Sequence, residues 1–259
     1  MVKGLYTAYT GLRNEQRRLD VISNNFANSN TTAYKKMGVT SQAFDREMAL
    51  RVDDDSDAYL VKGIGRISLG VKIGETYTDF SEGGFRETGN TYDVGLEGSG
   101  FFTISTTNKA GVESIRYTRD GAFTVTREGY LVTKDGDFVL GANNQRIRIP
   151  GADTAEVTID SLGNIYANEV QVGQFQIVDF QNYDALSLYG ENMYDALPEA
   201  GLIAGTALTR QGYLETSNVN VINEMVSMIT ITRAYETNQK MMQTIDSTLD
   251  KAVNDIGKL

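Results

Sequence analysis

The chain has 259 residues, enough for one large domain or two ordinary ones. It contains neither cysteine nor histidine, which excludes a disulfide framework and a thiolate metal site and removes the commonest general base. The net charge is −10, from 24 basic and 34 acidic residues, which argues against nucleic acid as a partner.

The N-terminal region, residues 3–28, is predicted to form a helix. It has neither the apolar core nor the cleavage site of a signal peptide, so we expect no cleaved signal peptide. Gly4 and Gly11 weaken an isolated helix by about 1 kcal/mol each relative to alanine. Its apolar stripe is narrow, so the helix depends on packing for stability. The stripe repeats every seven residues and consists of Leu5, Ala8, Leu12, Leu19, Ile22 and Phe26.

The middle of the chain is predicted to be rich in β-strands. Residues 35–60 are ambiguous between a short helix and loops, and residues 51–57 read as an acidic loop. From Val61 to Pro198, short alternating segments are separated by turn dipeptides, which predicts a meander of hairpins. These dipeptides are Asp120-Gly121, Glu128-Gly129, Asp135-Gly136 and Gly163-Asn164.

The C-terminal region, residues 220–259, is predicted to be one long helix of roughly 50 Å. A seven-residue apolar repeat of this kind indicates a partner helix. A second apolar row lies three positions on and is interrupted by Glu224 and Asn238. Asn238 either lowers the stability of its layer or fixes the helix register. The first row is Val221, Met228, Tyr235, Met242, Leu249 and Ile256, and the second is Ile231, Ile245, Ala252 and Leu259.

Together these elements predict an α+β fold. Long N- and C-terminal helices pair as a coiled coil, and a mainly antiparallel β domain is inserted between them. We expect residues 1–34 with 217–259 to form a helical assembly domain, 35–80 with 190–216 a connecting region, and 81–189 a β-rich outer domain. The apolar rows exceed what two helices can cover, which favours self-assembly. Binding to a membrane surface is the weaker alternative, since the chain is acidic.

Motifs that could carry chemistry are weak. The segment Gly95–Gly100 lacks the spacing of a phosphate-binding loop and precedes a predicted strand. Asp53, Asp55 and Asp57 match the start of a calcium loop, but Ala58 and Ile64 occupy its glycine and glutamate positions. We therefore expect no catalytic, cofactor-binding or metal site and no small-molecule substrate, and leave weak cation contact at Asp53–Asp57 open.

Several motifs resemble those of the flagellar rod–hook axial family. The N-terminal motif contains Asn24, Asn25, Ala27, Asn28, Asn30 and Thr31, and departs from the family at Phe26, where leucine is usual, and at Ala33, where glycine is common. The C-terminal motif contains Gln211–Glu215 followed by Ser217, Asn218, Val219 and Asn220. Between them lie Thr88–Val94, Gly98–Phe102 and Tyr117–Phe123.

The resemblance implies a structural protein of the flagellar basal body, located outside the cytoplasmic membrane and exported unfolded by the flagellar export apparatus. It implies terminal helices that fold on assembly into a helical tube, which crosses the envelope and transmits torque. The partners would be copies of this chain, other rod proteins and the hook. The interface residues expected are Leu5, Leu12, Leu19, Ile22, Phe26, Val221, Met228, Ile231, Tyr235, Asn238, Met242, Ile245, Leu249 and Ile256.

Within this family the size and the C-terminal motif favour the distal rod type over the proximal type or a hook-type paralogue. Two other classes compete with the rod interpretation. One is a β-rich envelope module that binds peptidoglycan and uses its helices for dimerisation. The other is an enzyme that relies on carboxylates.

Overall fold

The structure, a computed structural model, describes residues 2–44, 47–50, 63–107, 111–151, 155–190 and 192–256. Helix α1 spans Val2–Ala27, and helix α2 spans Val221–Lys251, followed by a π-helical end at Ala252–Ile256. Strands occupy the chain between them, and their pairings are antiparallel throughout the described ladders. The predicted α+β order of helix, β-region and helix is therefore confirmed. The acidic segment Asp53–Asp57 lies outside the described residues.

The first strands in chain order are β1 (Met37–Ala43), β2 (Glu47–Leu50), β3 (Gly63–Ile67), β4 (Val71–Thr78), β5 (Phe85–Glu87), β6 (Val94–Glu97), β7 (Phe101–Thr107), β8 (Glu113–Thr118), β9 (Phe123–Val125), β10 (Leu131–Thr133) and β11 (Phe138–Gly141). They are followed by β12 (Gln145–Arg146), β13 (Val157–Ile159), β14 (Asn164–Ala167), β15 (Val170–Gln174), β16 (Ile177–Phe180), β17 (Leu186–Tyr189), β18 (Met193–Ala196), β19 (Leu202–Ala204), β20 (Leu208–Gln211) and β21 (Tyr213–Glu215). Short 3-10 helices lie at Ala142–Asn144, Tyr183–Ala185 and Pro198–Ala200.

The chain forms two compact units. The helical unit comprises Met1–Phe26, Met37–Tyr77 and Val221–Leu259, and the β unit comprises Ala27–Lys36 and Thr78–Asn220. In the helical unit, β1 pairs with β4 and β2 with β3. The residues that were ambiguous in the sequence therefore contribute strands β1 and β2. The division into three regions drawn from the sequence stays a prediction.

The β unit is organised around a sheet with the strand order β17-β18-β8-β7-β11-β10-β9, in which β16 also pairs with β7. Strand β7 is buried on both faces, and successive side chains of a strand point to opposite faces. On one face Phe102 packs against Phe123, with ring centroids 5.0 Å apart. On the other face Phe101 packs against Tyr194, with ring centroids 5.7 Å apart. Two apolar clusters thus share one central strand.

Two of the predicted hairpins are confirmed. Strand β10 pairs with β9 on one side and with β11 on the other, and the connecting turns lie at the dipeptides that predicted them. Gly129 and Gly136 have φ angles of 85° and 90°, a conformation that disfavours side chains with a Cβ atom. These glycines end their turns without steric strain.

The two long helices also form close to the predicted residues. Helix α1 ends at Ala27, directly before the Asn/Ser/Thr-rich segment whose side chains compete for backbone hydrogen bonds. Helix α2 begins at Val221, and no glycine or proline interrupts it. Within the described part of the chain, neither helix combines the length and the apolar composition needed to cross a membrane.

Candidate functional site

The two long helices contact each other inside the helical unit and run antiparallel. Between the first and second contacts, α1 advances seven residues, from Gly4 to Gly11, while α2 goes back seven, from Ile245 to Asn238. Between the second and third contacts each helix covers a further fourteen residues. The helices therefore keep one register over three heptads. The contacting pairs are Gly4 with Ile245, Gly11 with Asn238, and Asn25 with Glu224.

Gly11 allows this close approach. A Cβ atom added to Gly11 would lie 3.1 Å from Nδ2 of Asn238, tighter than ordinary van der Waals contact. At Gly4 the added Cβ would lie 3.5 Å from Cδ1 of Ile245, which is an ordinary contact distance. The glycine at position 11 thus leaves room for the amide of Asn238, although it weakens the isolated helix by about 1 kcal/mol.

The row of α2 that contains Glu224, Ile231, Asn238 and Ile245 forms the centre of the contact. Glu224 and Ile231 are its buried members, and Asn238 and Ile245 are half-buried. In the sequence Glu224 and Asn238 were expected to interrupt this row. In the structure each of them contacts a small or polar residue of α1, so the polar groups are accommodated at the contact rather than excluded from it.

Asn25, from the N-terminal motif, is fully buried, and both the nitrogen and the oxygen of its side-chain amide form hydrogen bonds with the backbone. Its Nδ2 donates to the carbonyl oxygen of Met37 at 2.8 Å, and its Oδ1 accepts from the backbone N–H of Met37 at 2.9 Å. The same Nδ2 lies 3.4 Å from Oε2 of Glu224. One side chain therefore connects α1, the start of β1 and α2. A leucine or alanine could not make these bonds.

A buried ion cluster lies in the β unit. Nζ of Lys35 is 2.6 Å from Oε1 of Glu215, and Nε of Arg119 is 2.8 Å from Oε2 of the same carboxylate. The side chains of Lys35 and Glu215 are fully buried, and that of Arg119 is 4% exposed. The backbone N–H of Gly83 donates to Oε1 of Glu215 at 2.9 Å. Glu215 thus has a donor for each oxygen, as a buried carboxylate requires.

Both cations of the cluster also donate to backbone carbonyl oxygens. Nζ of Lys35 donates to the carbonyl oxygen of Ser81 at 2.7 Å, and Nη2 of Arg119 donates to that of Gly98 at 2.8 Å. Burial by itself would raise the pKa of Glu215, but Arg119 and Lys35 together hold it below its ordinary value. Burial lowers the pKa of Lys35, and the attraction of Glu215 opposes that shift. We therefore treat Glu215 as ionised at neutral pH.

Hydrogen bonds to backbone groups also join the N- and C-terminal motifs. The N–H of Ala33 donates to the carbonyl oxygen of Glu215 at 2.9 Å. Oδ1 of Asn218 accepts from the N–H of Lys36 at 2.7 Å, and its Nδ2 donates to the carbonyl oxygen of Asp79 at 2.8 Å. Ala33 has φ of 55° and is buried, so an alanine occupies a left-handed conformation here. The turn survives the absence of glycine at this position.

Comparison with known proteins identifies the family. Three family profiles match the chain: flagella basal body rod protein over residues 5–35, flagellar hook protein FlgE/F/G D1 domain over 95–167, and flagellar basal body rod FlgEFG protein C-terminal over 210–255. The flagellar basal-body rod protein FlgG of Bacillus subtilis is 34% identical over 98% of this chain and 99% of its own length. The FlgG protein of Buchnera aphidicola subsp. Schizaphis graminum is 32% identical over 97% of this chain and 98% of its own length.

The chain belongs to the flagellar basal-body rod protein family. It is a structural subunit of the flagellar axial structure, located at the flagellar basal body and assembled into the rod with the hook and other axial proteins. The flagellar basal-body rod protein FlgF of Caulobacter vibrioides is 31% identical over the full length of both chains. FlgG relatives match more strongly, and the distal rod type is favoured.

The ion cluster takes one residue from each matched segment of this rod-family chain. Lys35 ends the first segment, Arg119 lies in the second and Glu215 in the third. The carboxylate of Glu215 thus binds Lys35, which is 180 residues away in the chain, and Arg119, which is 96 residues away. In this chain the arrangement joins three distant segments within the β unit.

The structure places the expected interface residues around the helix contact. On α1 the contact passes through Gly4, Gly11 and Asn25, one residue before the expected row Leu5, Leu12, Leu19 and Phe26. In the expected row, Leu5, Leu12, Leu19 and Ile22 are half-buried and Phe26 is exposed, and the role of these residues at an interface stays a prediction.

On α2 the residues of the first expected row flank the contact. Met228, Tyr235, Met242 and Leu249 are half-buried, and Val221 is exposed. Ile256 ends the π-helical segment, and its side chain lies outside the described residues. Their role in contacts between subunits stays a prediction.

The other motif residues act mainly at turns. Thr31 donates from its N–H to the carbonyl oxygen of Asn28 and from its hydroxyl to Oδ1 of Asn28, which closes the turn after α1. Oγ of Ser217 accepts from the N–H of Val219, whose side chain is buried. Asn24, Ala27, Asn30 and Asn220 are exposed.

The sequence interpretation did not single out Lys35, Arg119 or Glu215 as site residues, although all three lie in or beside its motifs. A charged residue inside a motif that otherwise forms turns and strands was the available signal. Two cationic residues and one anionic residue in distant motifs could have suggested a buried ion cluster. Gly4 and Gly11 were seen only as weak points of the helix.

Proposed function

We propose that the chain is a distal rod subunit that polymerises into a helical tube, which crosses the cell envelope and transmits torque from the motor to the hook. Its function in this proposal is mechanical and involves no active site. The observation that carries it is the antiparallel register of α1 and α2 over three heptads. A long helix pair with a defined register is a stiff element, as transmission of torque requires.

In the polymer we propose that α1 and α2 pair as a coiled coil. Support comes from the side chains of Met228, Tyr235 and Met242, which lie beside the contact row and stay half-exposed in the single chain. A neighbouring subunit that covers them would remove more apolar surface from water at about 25 cal/mol per Å². The residues expected at the interface from the sequence are proposed to serve this packing.

The proposed organisation keeps the three regions drawn from the sequence. Residues 1–34 with 217–259 would line the tube, 81–189 would face outward, and 35–80 with 190–216 would connect them. The proposed partners are copies of this chain, the adjacent rod proteins, the hook and the flagellar export apparatus. Helices that bury few residues of their own would pass through export unfolded and fold on assembly.

The test introduces a charge beside the helix contact. Met228→Asp and Tyr235→Asp should each abolish polymer formation by the purified full-length chain, because a carboxylate buried between subunits is left unpaired. Sedimentation and negative-stain electron microscopy measure the polymer, and near-UV circular dichroism checks that the β unit stays folded. Gln239→Asp, at an exposed position of the same helix, is the matched control and should polymerise normally.

Normal polymers from the Met228→Asp, Tyr235→Asp double variant would contradict the proposal. The assignment to the distal rod has a separate test. Labelled subunits should map to the hook-proximal part of isolated rods by electron microscopy. A label confined to the part next to the motor would reassign the chain to the proximal type.

A further inference from the structure

The outer face of α2 is apolar in its first turns and charged beyond them. Ile222 and Val226 lie two residues on either side of the buried Glu224, so each is turned about 200° from the contact with α1. Ile229 stands in the same relation to Ile231. Ile222 is 73% exposed, and Met225, Val226 and Ile229 are exposed beside it. The same helix then presents exposed polar residues, including Arg233, Glu236 and Lys240.

The outer face of α1 has the same division. Tyr6 lies two residues after Gly4 and Tyr9 two residues before Gly11, so both tyrosines point away from α2. Tyr6 is 60% exposed and Tyr9 is 46% exposed. Beyond them the outer face carries the exposed residues Arg13, Arg17 and Asp20. Opposite the contact row, each helix therefore carries its exposed apolar residues in its N-terminal turns, and the exposed Phe26 and Met241 lie within about 100° of that row.

The antiparallel register places these two apolar segments at opposite ends of the helix pair. Because Gly4 is level with Ile245 and Gly11 with Asn238, Tyr6 and Tyr9 are level with residues 240–243 of α2. The aliphatic segment, residues 222–229, lies about 16 residues away, or about 24 Å along the helix axis. The two segments also face opposite directions, so one chain cannot bring them together.

The geometry points to a head-to-tail contact between two copies of this chain, in which the aliphatic segment of α2 (Ile222, Met225, Val226, Ile229) packs on the tyrosine segment of α1 (Tyr6, Tyr9) of the next copy. This contact rests on the proposed polymerisation and specifies the surfaces that make it. The next copy would be shifted by about 24 Å along the helix axis.

A second copy fits these segments better than another occupant for two reasons. Each segment exposes on the order of a few hundred Å² of apolar surface, the size at which patches mark protein contacts. When the two segments overlap antiparallel, the overlap covers the apolar turns, and Arg233 and Glu236 come to lie beyond the first residue of α1. These two charges therefore stay outside the contact, which avoids the penalty of burying them.

The contact must also be heterologous to serve a polymer. If the aliphatic segments of two copies packed on each other, a closed dimer would form and growth would stop. Joining two different segments at opposite ends leaves one of each free on every added copy. Such a contact repeats without closing and generates a helical filament.

Disulfide trapping tests the contact, and the absence of cysteine from the chain provides a clean background. Full-length Tyr6→Cys and Val226→Cys chains are mixed under polymerising conditions and oxidised mildly. We expect a covalent dimer in the mixture and at most a trace from either variant alone. Arg17→Cys and Lys240→Cys, exposed on the charged parts of the same faces, form the matched control mixture and should not crosslink.

Three results would overturn the inference. A dimer from Val226→Cys alone would show an isologous contact. A mixture that polymerises without crosslinking would exclude these surfaces but leave the proposed polymerisation intact. Absence of polymers from the unsubstituted chain would remove both proposals. As a second measurement, Val226→Asp should raise the critical concentration for polymerisation roughly tenfold or more, because it buries an unpaired charge. A change of less than twofold would also contradict the contact.

Discussion

The β unit and the helical unit bury different kinds of residues. The β unit surrounds strand β7 with two apolar clusters and adds a buried ion cluster in which Lys35 and Arg119 both pair with Glu215. In the described parts of the two long helices the buried residues are Ala8, Asn14, Asn25, Glu224 and Ile231. Three of these five are polar, so the helices bury little apolar surface of their own.

This difference means that the β unit is stabilised by its own core, whereas the contact between the helices mainly determines their register. Apolar burial supplies most of the free energy of folding, and the β unit has that burial. Polar residues at a helix contact add little stability but restrict which register the helices adopt. The β unit should therefore fold in the monomer, whereas the helical unit gains its full stability when subunits assemble.

The largest effect is expected from a substitution that removes the carboxylate of the ion cluster. Glu215→Ala should lower the free energy of unfolding of the β unit by about 3–5 kcal/mol, because Lys35 and Arg119 are left buried without a counter-charge. Chemical denaturation followed by near-UV circular dichroism measures it. Glu113→Ala breaks the exposed pair with Arg146 and should cost less than about 1 kcal/mol. Equal effects of the two variants would contradict a special role for the buried cluster.

The next effect concerns pH and the same carboxylate. Since the folded state holds the pKa of Glu215 below its ordinary value, its stabilisation is complete above the unfolded pKa of about 4.3 and is lost as the pH falls through the lower folded pKa. Denaturation midpoints measured from neutral pH downward should therefore fall in the unsubstituted chain. In Glu215→Gln, which starts from a lower stability, this component should be absent. Parallel pH profiles for the two chains would refute the ionised state of Glu215.

A smaller effect tests the helix contact. Gly4→Ala should stabilise the helical unit by about 1 kcal/mol through helix propensity alone. Gly11→Ala should lose that gain, because its methyl group meets the amide of Asn238. Thermal melts followed by far-UV circular dichroism compare them. Adding Asn238→Ala to Gly11→Ala should restore the gain, and a stabilising Gly11→Ala single variant would show that the helices do not approach there.

The smallest effect lies at the turn after α1. Ala33→Gly should raise the free energy of unfolding by about 0.5–1 kcal/mol, since glycine adopts the left-handed conformation of Ala33 without a steric penalty. Ala167→Gly, in an extended strand, is the control and should destabilise by a similar amount. Chemical denaturation of both variants measures the difference. Destabilisation by Ala33→Gly would mean that its buried methyl group outweighs the strain.

The helices and several turns were predictable because their signals are local. The seven-residue repeats predicted α1 and α2, and the dipeptides Glu128-Gly129 and Asp135-Gly136 predicted their turns. The contacts of Gly4 and Gly11 with α2 were not predictable in the same way. A rotation of about 100°, one residue, separates Leu5 from Gly4, and the contact of Gly11 with Asn238 is visible only in the folded chain.

By itself the sequence determined the order of helix, β-region and helix, the motifs at both ends, and the family to which they belong. These depend on residue type and spacing along the chain. The tertiary structure decided which residues of those motifs meet. Lys35, Arg119 and Glu215 are joined across as many as 180 residues, and no periodicity encodes that contact. The physical reason for this contact is that a buried carboxylate is stable only with counter-charges beside it, and only the tertiary fold brings those residues together.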